Sequence, residues 1–511
     1  MTQRFSARVL VAVVAVAGLL LSACTTSGSP GANGSANGNG KAAQTTLSVG
    51  ATASPSTLDP TINNAAAIPQ VVLYNVYETL VKLDAEGQLK PLLAQRWDVS
   101  ADNKTYTFNL DPAARFASGR AVAAKDVVWS FERIKNSDTT TSAVKGQMGP
   151  VDTVRAVDDK TVEVVLKNPS NLWLFDMSST AGIILDSETT ADLANSTAGS
   201  GPFQLKDWIP NSSVTLEKNP NYWGTPARFN EVTFRYFTDP NAMNAAMLAG
   251  DLDIISNLQA PAALPQFSDT NRFKVVEGTT NGEIVLSMNG RSEGLKDVRV
   301  RQAIRHAIDK KALRDTVWAG KGELIGSMAP PTDPWFEDRT GDFPFDQDKA
   351  RALLAEAGVQ NLRLRLRVPT LPYATASAQF IQSQLREVGI EAEIDQLEFP
   401  ARWLEVVHTN ADYDMSIVSH VEARDFVRFA NPDYYFHYDS EEFRRLVAEA
   451  DAGPADQQAP KLKEALALLS RDAAADWLFL LPNLVITKPN ITGVAQNANT
   501  LSFDLTTIAA G

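Results

Sequence analysis

A chain of 511 residues is too long for one hydrophobic core, so two or more domains of roughly 100–200 residues each are expected. Hydrophobic residues at 44% and charged residues at 21% exclude a mostly disordered or fibrous chain, and 60 acids against 47 bases, a net charge of −13, disfavour a nucleic-acid partner. The single cysteine, Cys24, excludes an intramolecular disulfide, a Cys-rich zinc site, an iron–sulfur cluster and a nucleophilic thiol in the folded body.

Arg4 and Arg8 precede an unbroken apolar run over residues 9–21, followed by Leu21-Ser22-Ala23-Cys24. A charged start, a short apolar stretch and small residues before a cut site make residues 1–23 a secretory signal peptide. The run is shorter than the roughly 20 apolar residues of a membrane-spanning helix. Leu-Ser-Ala-Cys resembles the bacterial lipobox, which implies cleavage before Cys24 and a diacylglycerol on its thiol. The alternatives are an ordinary signal with an incidental cysteine or an uncleaved anchor. The sole cysteine standing where lipidation needs it favours the lipoprotein. Residues 24–46 are then the lipidated Cys and a tether. Residues 25–46 hold no Val, Ile, Leu, Met or aromatic side chain, which predicts a flexible leash with an r.m.s. reach of about 26 Å. The folded body is expected from Leu47.

Short strands dominate the first half. Tyr106, Phe108 and Leu110 alternate with polar neighbours, as do Val162, Val164 and Leu166, and Val232, Phe234 and Tyr236. Helices are predicted over 124–134 and over 242–249, the second ended by Gly250. The second half changes rhythm. Val300, Ile304, Ala307 and Ile308 mark one face of a helix opening near Asp297, and Ala350, Leu353, Leu354 and Ala357 mark another, closed by Gly358. Leu362, Leu364 and Leu366 alternate with Arg363, Arg365 and Arg367 as a strand. A helix carrying Ile381, Leu385 and Val388 follows, then a strand at Ile390–Leu397, a helix about 403–409 and an apolar strand at 414–419. This alternation predicts right-handed crossovers and a mainly parallel sheet. Ligands of open α/β sheets bind at the carboxyl ends of the strands. Here that edge comprises residues 369–373, the turn after Leu397 and the aromatic, charged segment after Ser419.

The body resembles the family 5 extracellular solute-binding proteins of ABC importers, the dipeptide, oligopeptide and nickel group. The resemblance runs from Leu58-Asp59-Pro60 and Val76-Tyr77-Glu78-Thr79-Leu80-Val81 through Pro91-Leu92-Leu93-Ala94 and Trp97-Asp98-Val99-Ser100. It continues through Arg115-Phe116, Gly119 and Ala124-Lys125-Asp126-Val127 to Gly199-Ser200-Gly201-Pro202-Phe203, where the family usually has Gly-Thr-Gly-Pro. Asn219-Pro220-Asn221-Tyr222-Trp223, Val300-Arg301-Gln302-Ala303-Ile304 and Ala307-Ile308-Asp309 complete it. The resemblance implies an α/β, two-lobed periplasmic-binding-protein-like fold (class II, large peptide-binding type). Residues 47–66, 200–285 and 480–511 would form the core of lobe 1, with an inserted subdomain at 67–199, and residues 286–479 would form the ligand-binding lobe 2. It also implies a monomer outside the cytoplasm, held to the membrane through Cys24, that closes on a peptide and serves an ABC permease and ATPase.

In peptide-binding members an Asp in the aromatic loop of the second lobe pairs with the ligand ammonium. The resemblance places Asp425 there, upstream of Asn431-Pro432-Asp433, with Glu422 as the rival anchor; a solvent-facing Asp425 paired with Arg424 or Arg428 is the alternative. A buried cation needs such a carboxylate. Dipeptide binders also grip the ligand carboxylate with an Arg after the first strand of this lobe, where Val368 stands here. The neighbouring Arg367 is the candidate, against a solvated basic stripe with Arg363 and Arg365. Trp403, Phe426, Tyr434 and Tyr435 would either wall the cleft or belong to the core. His420 with Glu422 leaves open a nickel, metal-chelate or other cationic ligand, though no resident metal or cofactor is expected. The chain lacks a P-loop and a His-Glu-x-x-His motif, and no enzyme is expected; a tethered hydrolase and an interaction module are the remaining alternatives.

Overall fold

The computed structural model describes residues 44–511. Cys24, the signal segment and most of the tether lie outside the described residues. The first strand, Thr46–Ala51, runs parallel to Glu231–Tyr236 with Leu47 beside Val232 and Val49 beside Phe234. Order begins slightly before Leu47: the Asn230 amide donates to the Thr45 carbonyl at 2.7 Å. Main-chain pairing needs no apolar side chain, so the polar end of the tether joins the sheet.

That sheet has seven strands, in the order Phe203–Ile209, Ser213–Lys218, Glu231–Tyr236, Thr46–Ala51, Ile254–Ile255, Asn483–Thr487 and Lys274–Gly278. Three remote stretches of chain therefore build one layer. One face buries Val49, Val214, Leu216, Val232 and Phe234. The other packs on Met243 and Met247 of the helix Pro240–Ala249, which starts at an Asp239 cap and stops at Gly250 with φ 91°. Between its first two chain segments lies a four-stranded antiparallel sheet, Ala94–Val99, Thr105–Leu110, Thr161–Leu166 and Val151–Ala156. The helix Ala124–Asn136 covers it with Val127, Phe131 and Ile134.

A five-stranded sheet follows, in the order Ile390–Leu397, Leu362–Pro369, Met415–His420, Glu283–Met288 and Ala475–Leu480. Leu362–Pro369 is parallel to both its neighbours, as the helical crossovers require. Glu283–Met288 runs against both of its own. The sheet is therefore mixed: this strand enters directly from the other layer without a crossover helix, and it can pair only in the opposite sense. One face carries the helices Val298–Ala307, Gln347–Glu356 and Pro372–Glu387, through Val300, Ile304, Leu353, Leu354, Ile381 and Leu385. The other face carries Glu441–Ala452 and Ala455–Arg471, through Phe443, Leu446, Leu462, Leu466 and Leu469. Inside this half, Arg305 and Lys310 share the fully buried Asp476 at 3.1 and 3.0 Å.

The helix expected about 403–409 is a single α turn, Ala401–Trp403, followed by a π-helix, Leu404–Thr409. The wider turn sets consecutive side chains closer on one face, and both Val406 and Val407 are buried. Ile308 is buried as expected but lies one residue beyond its helix.

The chain changes sheet at residues 279–282 and again at 481–482. The two crossings are bonded to each other. The Thr280 hydroxyl donates to the Leu481 carbonyl at 2.6 Å, and the Leu481 amide donates to the Gly282 carbonyl at 2.8 Å.

Candidate functional site

His420 ends its strand opposite Glu283. The chain then turns through Arg424 in the left-handed region (φ 62°) into a 3-10 helix, Asp425–Ala430, which carries Asp425 and Phe426 inward. His420 Nδ1 lies 2.6 Å from Asp425 Oδ2, and Nε2 lies 2.8 Å from the Tyr435 hydroxyl. That hydroxyl is 3.0 Å from Ser287 Oγ. The carboxylate on Nδ1 assigns the proton to that nitrogen, leaving Nε2 to accept from Tyr435. The two rings are stacked within 8° of parallel. Tyr435 is held in turn by the Tyr413 hydroxyl, which donates to its carbonyl at 2.8 Å.

Carboxylates crowd this strand end. Glu422 is half-buried, 3.9 Å from Arg428, and one oxygen of it, one of Asp425 and one nitrogen of His420 lie within 4.8 Å of one another. Glu283 is 3% exposed, and its Oε2 has no hydrogen-bond partner among the described residues. Burial pushes its carboxyl well above the usual range, and the charges of Asp425, Asp333 and Glu422 push the same way. Burial also takes Asp333 up to about 6, against the pull of Arg424 and the nearby Trp335 indole, and its Oδ2 has no partner in hydrogen-bond geometry among the described residues.

Arg424 reaches out of this loop to the four-stranded half of the molecule. Its guanidinium lies 3.4 Å from the ring centre of Phe175 and 4.8 Å from that of Trp335. Its charge partners are Asp333 and Asp176, and burial holds the Asp176 carboxyl up to about 7. Beside this contact Asp451 accepts from Ser170 Oγ at 2.7 Å and from the Leu172 amide at 3.0 Å. Asn171 Nδ2 donates to the carbonyls of Ala450 and Gly453, free acceptors at the end of the helix Glu441–Ala452. Residues 170–176 thus fasten the inserted region to the five-stranded half next to the carboxylate group. A surface groove of about 760 Å³ beside Arg339, Leu446 and Arg471 is formed elsewhere. Buried polar atoms without a partner occur in several parts of the described structure; those of Glu283, Ser419 and Arg424 belong to the His420 end.

Residues 88–442 match the family model described as bacterial extracellular solute-binding proteins, family 5 middle region. The chain belongs to that family. Its relatives include the dipeptide-binding protein of Escherichia coli, 29% identical over 66% of this chain and 68% of that one. Di/tripeptide-binding protein 4 of Pseudomonas aeruginosa is 30% identical over 64% and 67%. Among solved structures, the periplasmic binding protein DppA from Helicobacter pylori in complex with the peptide STSA superposes with a TM-score of 0.82, at 21% identity over 92% and 98% of the two chains. NikZ from Campylobacter jejuni in complex with Ni(L-His) gives 0.78, at 18% identity over 91% and 99%. The fold is that of the periplasmic peptide-binding proteins, and these relatives are binding proteins of transporters, not enzymes.

The family 5 chain brings three of the sequence-predicted residues together: His420, Glu422 and Asp425. Trp403 is buried behind them, donating from Nε1 to Ser416 Oγ at 3.1 Å and packing edge-on against Tyr435. Phe426 is fully buried against Trp335. Arg367 is placed apart from this group. Its guanidinium contacts the Asp412 carboxylate at 2.7 Å and the Asp395 carboxylate at 3.3 Å, in a stripe where Arg365 meets Asp414 and Arg363 meets Glu391. Sequence reasoning missed Glu283, Asp333 and Asp176, and it offered Arg424 only as a partner of a solvent-facing Asp425, whereas Asp425 is buried against His420 and Arg424 faces Asp333 and Asp176. Only Glu283 carried a signal, as an acid opening the mostly apolar run to Met288.

Proposed function

We propose that this protein captures a peptide or peptide-like solute bearing an ammonium group, outside the cytoplasm, and delivers it to an ABC permease and ATPase. In this reading residues 47–66, 200–285 and 480–511 with the insert 67–199 form one lobe, and 286–479 the other. Asp425 anchors the ammonium, with Glu422 beside it, and Trp403 and Phe426 back the wall. Lipidation of Cys24 after removal of 1–23 would keep the monomer on the outer face of the cytoplasmic membrane or in the periplasmic space. The observation that carries the proposal is the buried Asp425–His420 pair, set among further carboxylates where residues 170–176 meet the five-stranded half. A buried carboxylate held by one hydrogen bond retains lone pairs for a cationic donor. Mass spectrometry of what co-purifies with the body, followed by thermal unfolding with that compound, tests it. An unmodified peptide that raises the unfolding temperature is the expected result. Recovery of cleaved product, or no response to any peptide, would refute it.

A second reading, a metal chelate, is favoured by the clustering of His420, Glu422 and Asp425. Both ring nitrogens of His420 are already engaged, so a metal would have to displace Asp425 or Tyr435. A stabilisation by nickel with free histidine that a chelator abolishes would support this reading over the first.

A further inference from the structure

The cleft holds more acid than the protein neutralises. Glu283 feels the charges of Asp425, Asp333 and Glu422, and Asp176 is linked to Asp333 through Arg424, while the bases among them are Arg424, Arg428 and His420. Each base already faces an acid, although Arg424 Nε has no hydrogen-bond partner among the described residues. Arg424 answers Asp176 and Asp333, Arg428 answers Glu422 with Tyr434, and His420 answers Asp425. Among the described residues, Glu283 Oε2 and Asp333 Oδ2 have no donor in hydrogen-bond geometry, with the Trp335 indole near Asp333 as the one neighbouring N–H that acts on it. An isolated buried carboxylate is costly unless a donor or cation meets it. Glu283 lies on the same sheet face as His420, directly across the strand pairing, so the unmet acceptor belongs to the Asp425 group and not to the opposite core. A dipeptide zwitterion brings one cation and one anion and leaves the imbalance unchanged. It would also need a free base for its carboxylate, whereas Arg367 is held by Asp412 and Asp395.

We infer that Glu283 and Asp333 form a second cation site beside Asp425, so that the captured solute carries two positive groups and a net positive charge. The inference rests on the proposed capture of an ammonium-bearing solute at Asp425 and narrows its class to basic peptides and related dications.

Calorimetric titration of the ligand-stripped body with Lys-Ala-Ala and Ala-Lys-Ala, each against its norleucine counterpart, tests the inference. At least one lysine peptide should bind about tenfold or more tighter than its norleucine match. Glu283→Gln should reduce that ratio towards one. Asp333→Asn should move it the same way, and serves if the first variant unfolds. Equal binding of lysine and norleucine peptides would overturn the second cation site and leave peptide capture standing. A lysine preference that survives both substitutions would overturn the assignment to these residues. No binding of any of the four peptides would overturn the capture reading and this inference with it.

Discussion

Glu283 and His420 face each other across an antiparallel strand pair, the first residue of one strand against the last of the other. The histidine has both ring nitrogens occupied, by Asp425 and Tyr435, and gives the glutamate nothing. One strand end therefore holds a satisfied pair beside an unsatisfied acid.

That arrangement makes the ligand-free protein sensitive to pH in a defined direction. Burial raises Glu283 and takes Asp333 to about 6 and Asp176 to about 7. Raised folded-state values mean that the native protein binds more protons than the unfolded chain, so their contribution falls as pH rises from about 4 to about 7. Urea unfolding should show Glu283→Gln gaining stability over the parent across that window, by on the order of 1–3 kcal/mol at its upper end. A difference that stays flat with pH would contradict this.

Asp425→Asn should weaken ligand binding by roughly 2–4 kcal/mol, because the charge opposite the ammonium disappears while the burial cost remains. Glu422→Gln, at a half-exposed position, should cost less than half as much. Calorimetry on the two variants ranks the anchors, and a larger loss at Glu422 would exchange their roles.

Arg424 over Phe175 joins two halves that share no sheet. Phe175→Ala should shift the ligand-free protein towards an open form, by about 1 kcal/mol, or several-fold in population. Solution scattering would read this as a larger radius of gyration without ligand. An unchanged profile would show that the Asp451 bonds to Ser170 and Leu172 hold the contact alone.

Asp476→Ala should destabilise the five-stranded half by about 3–5 kcal/mol, since it strands the buried charges of Arg305 and Lys310. Scanning calorimetry should show a lower transition temperature. A loss below 1 kcal/mol would mean that water reaches the pair.

Much of the scaffold was legible because its signals are local. Asp297 caps its helix, Gly250 ends another in the left-handed region, and the strand Ile390–Leu397 has the bounds its alternation predicts. The direction of Glu283–Met288 was not legible, since both strands it pairs with, Met415–His420 and Ala475–Leu480, lie more than a hundred residues further along the chain. Within the candidate site, His420, Glu422 and Asp425 share one loop and were read together. Asp176, Glu283 and Asp333 come from three distant stretches, and no spacing rule joins residues that only the tertiary fold makes neighbours. Arg367 stood beside the expected carboxylate grip, but its alternation with Arg363 and Arg365 already pointed to the acid-paired stripe it occupies.

The lacing of Thr280 and Gly282 to Leu481 restricts how the halves can move. Two strands tied side by side bend readily across their width and resist sliding past each other, much as a leaf spring does. The halves should then swing about a single axis. The timing of cargo release would be governed at the far rim, where Arg424 must lift from Phe175 before the mouth can gape.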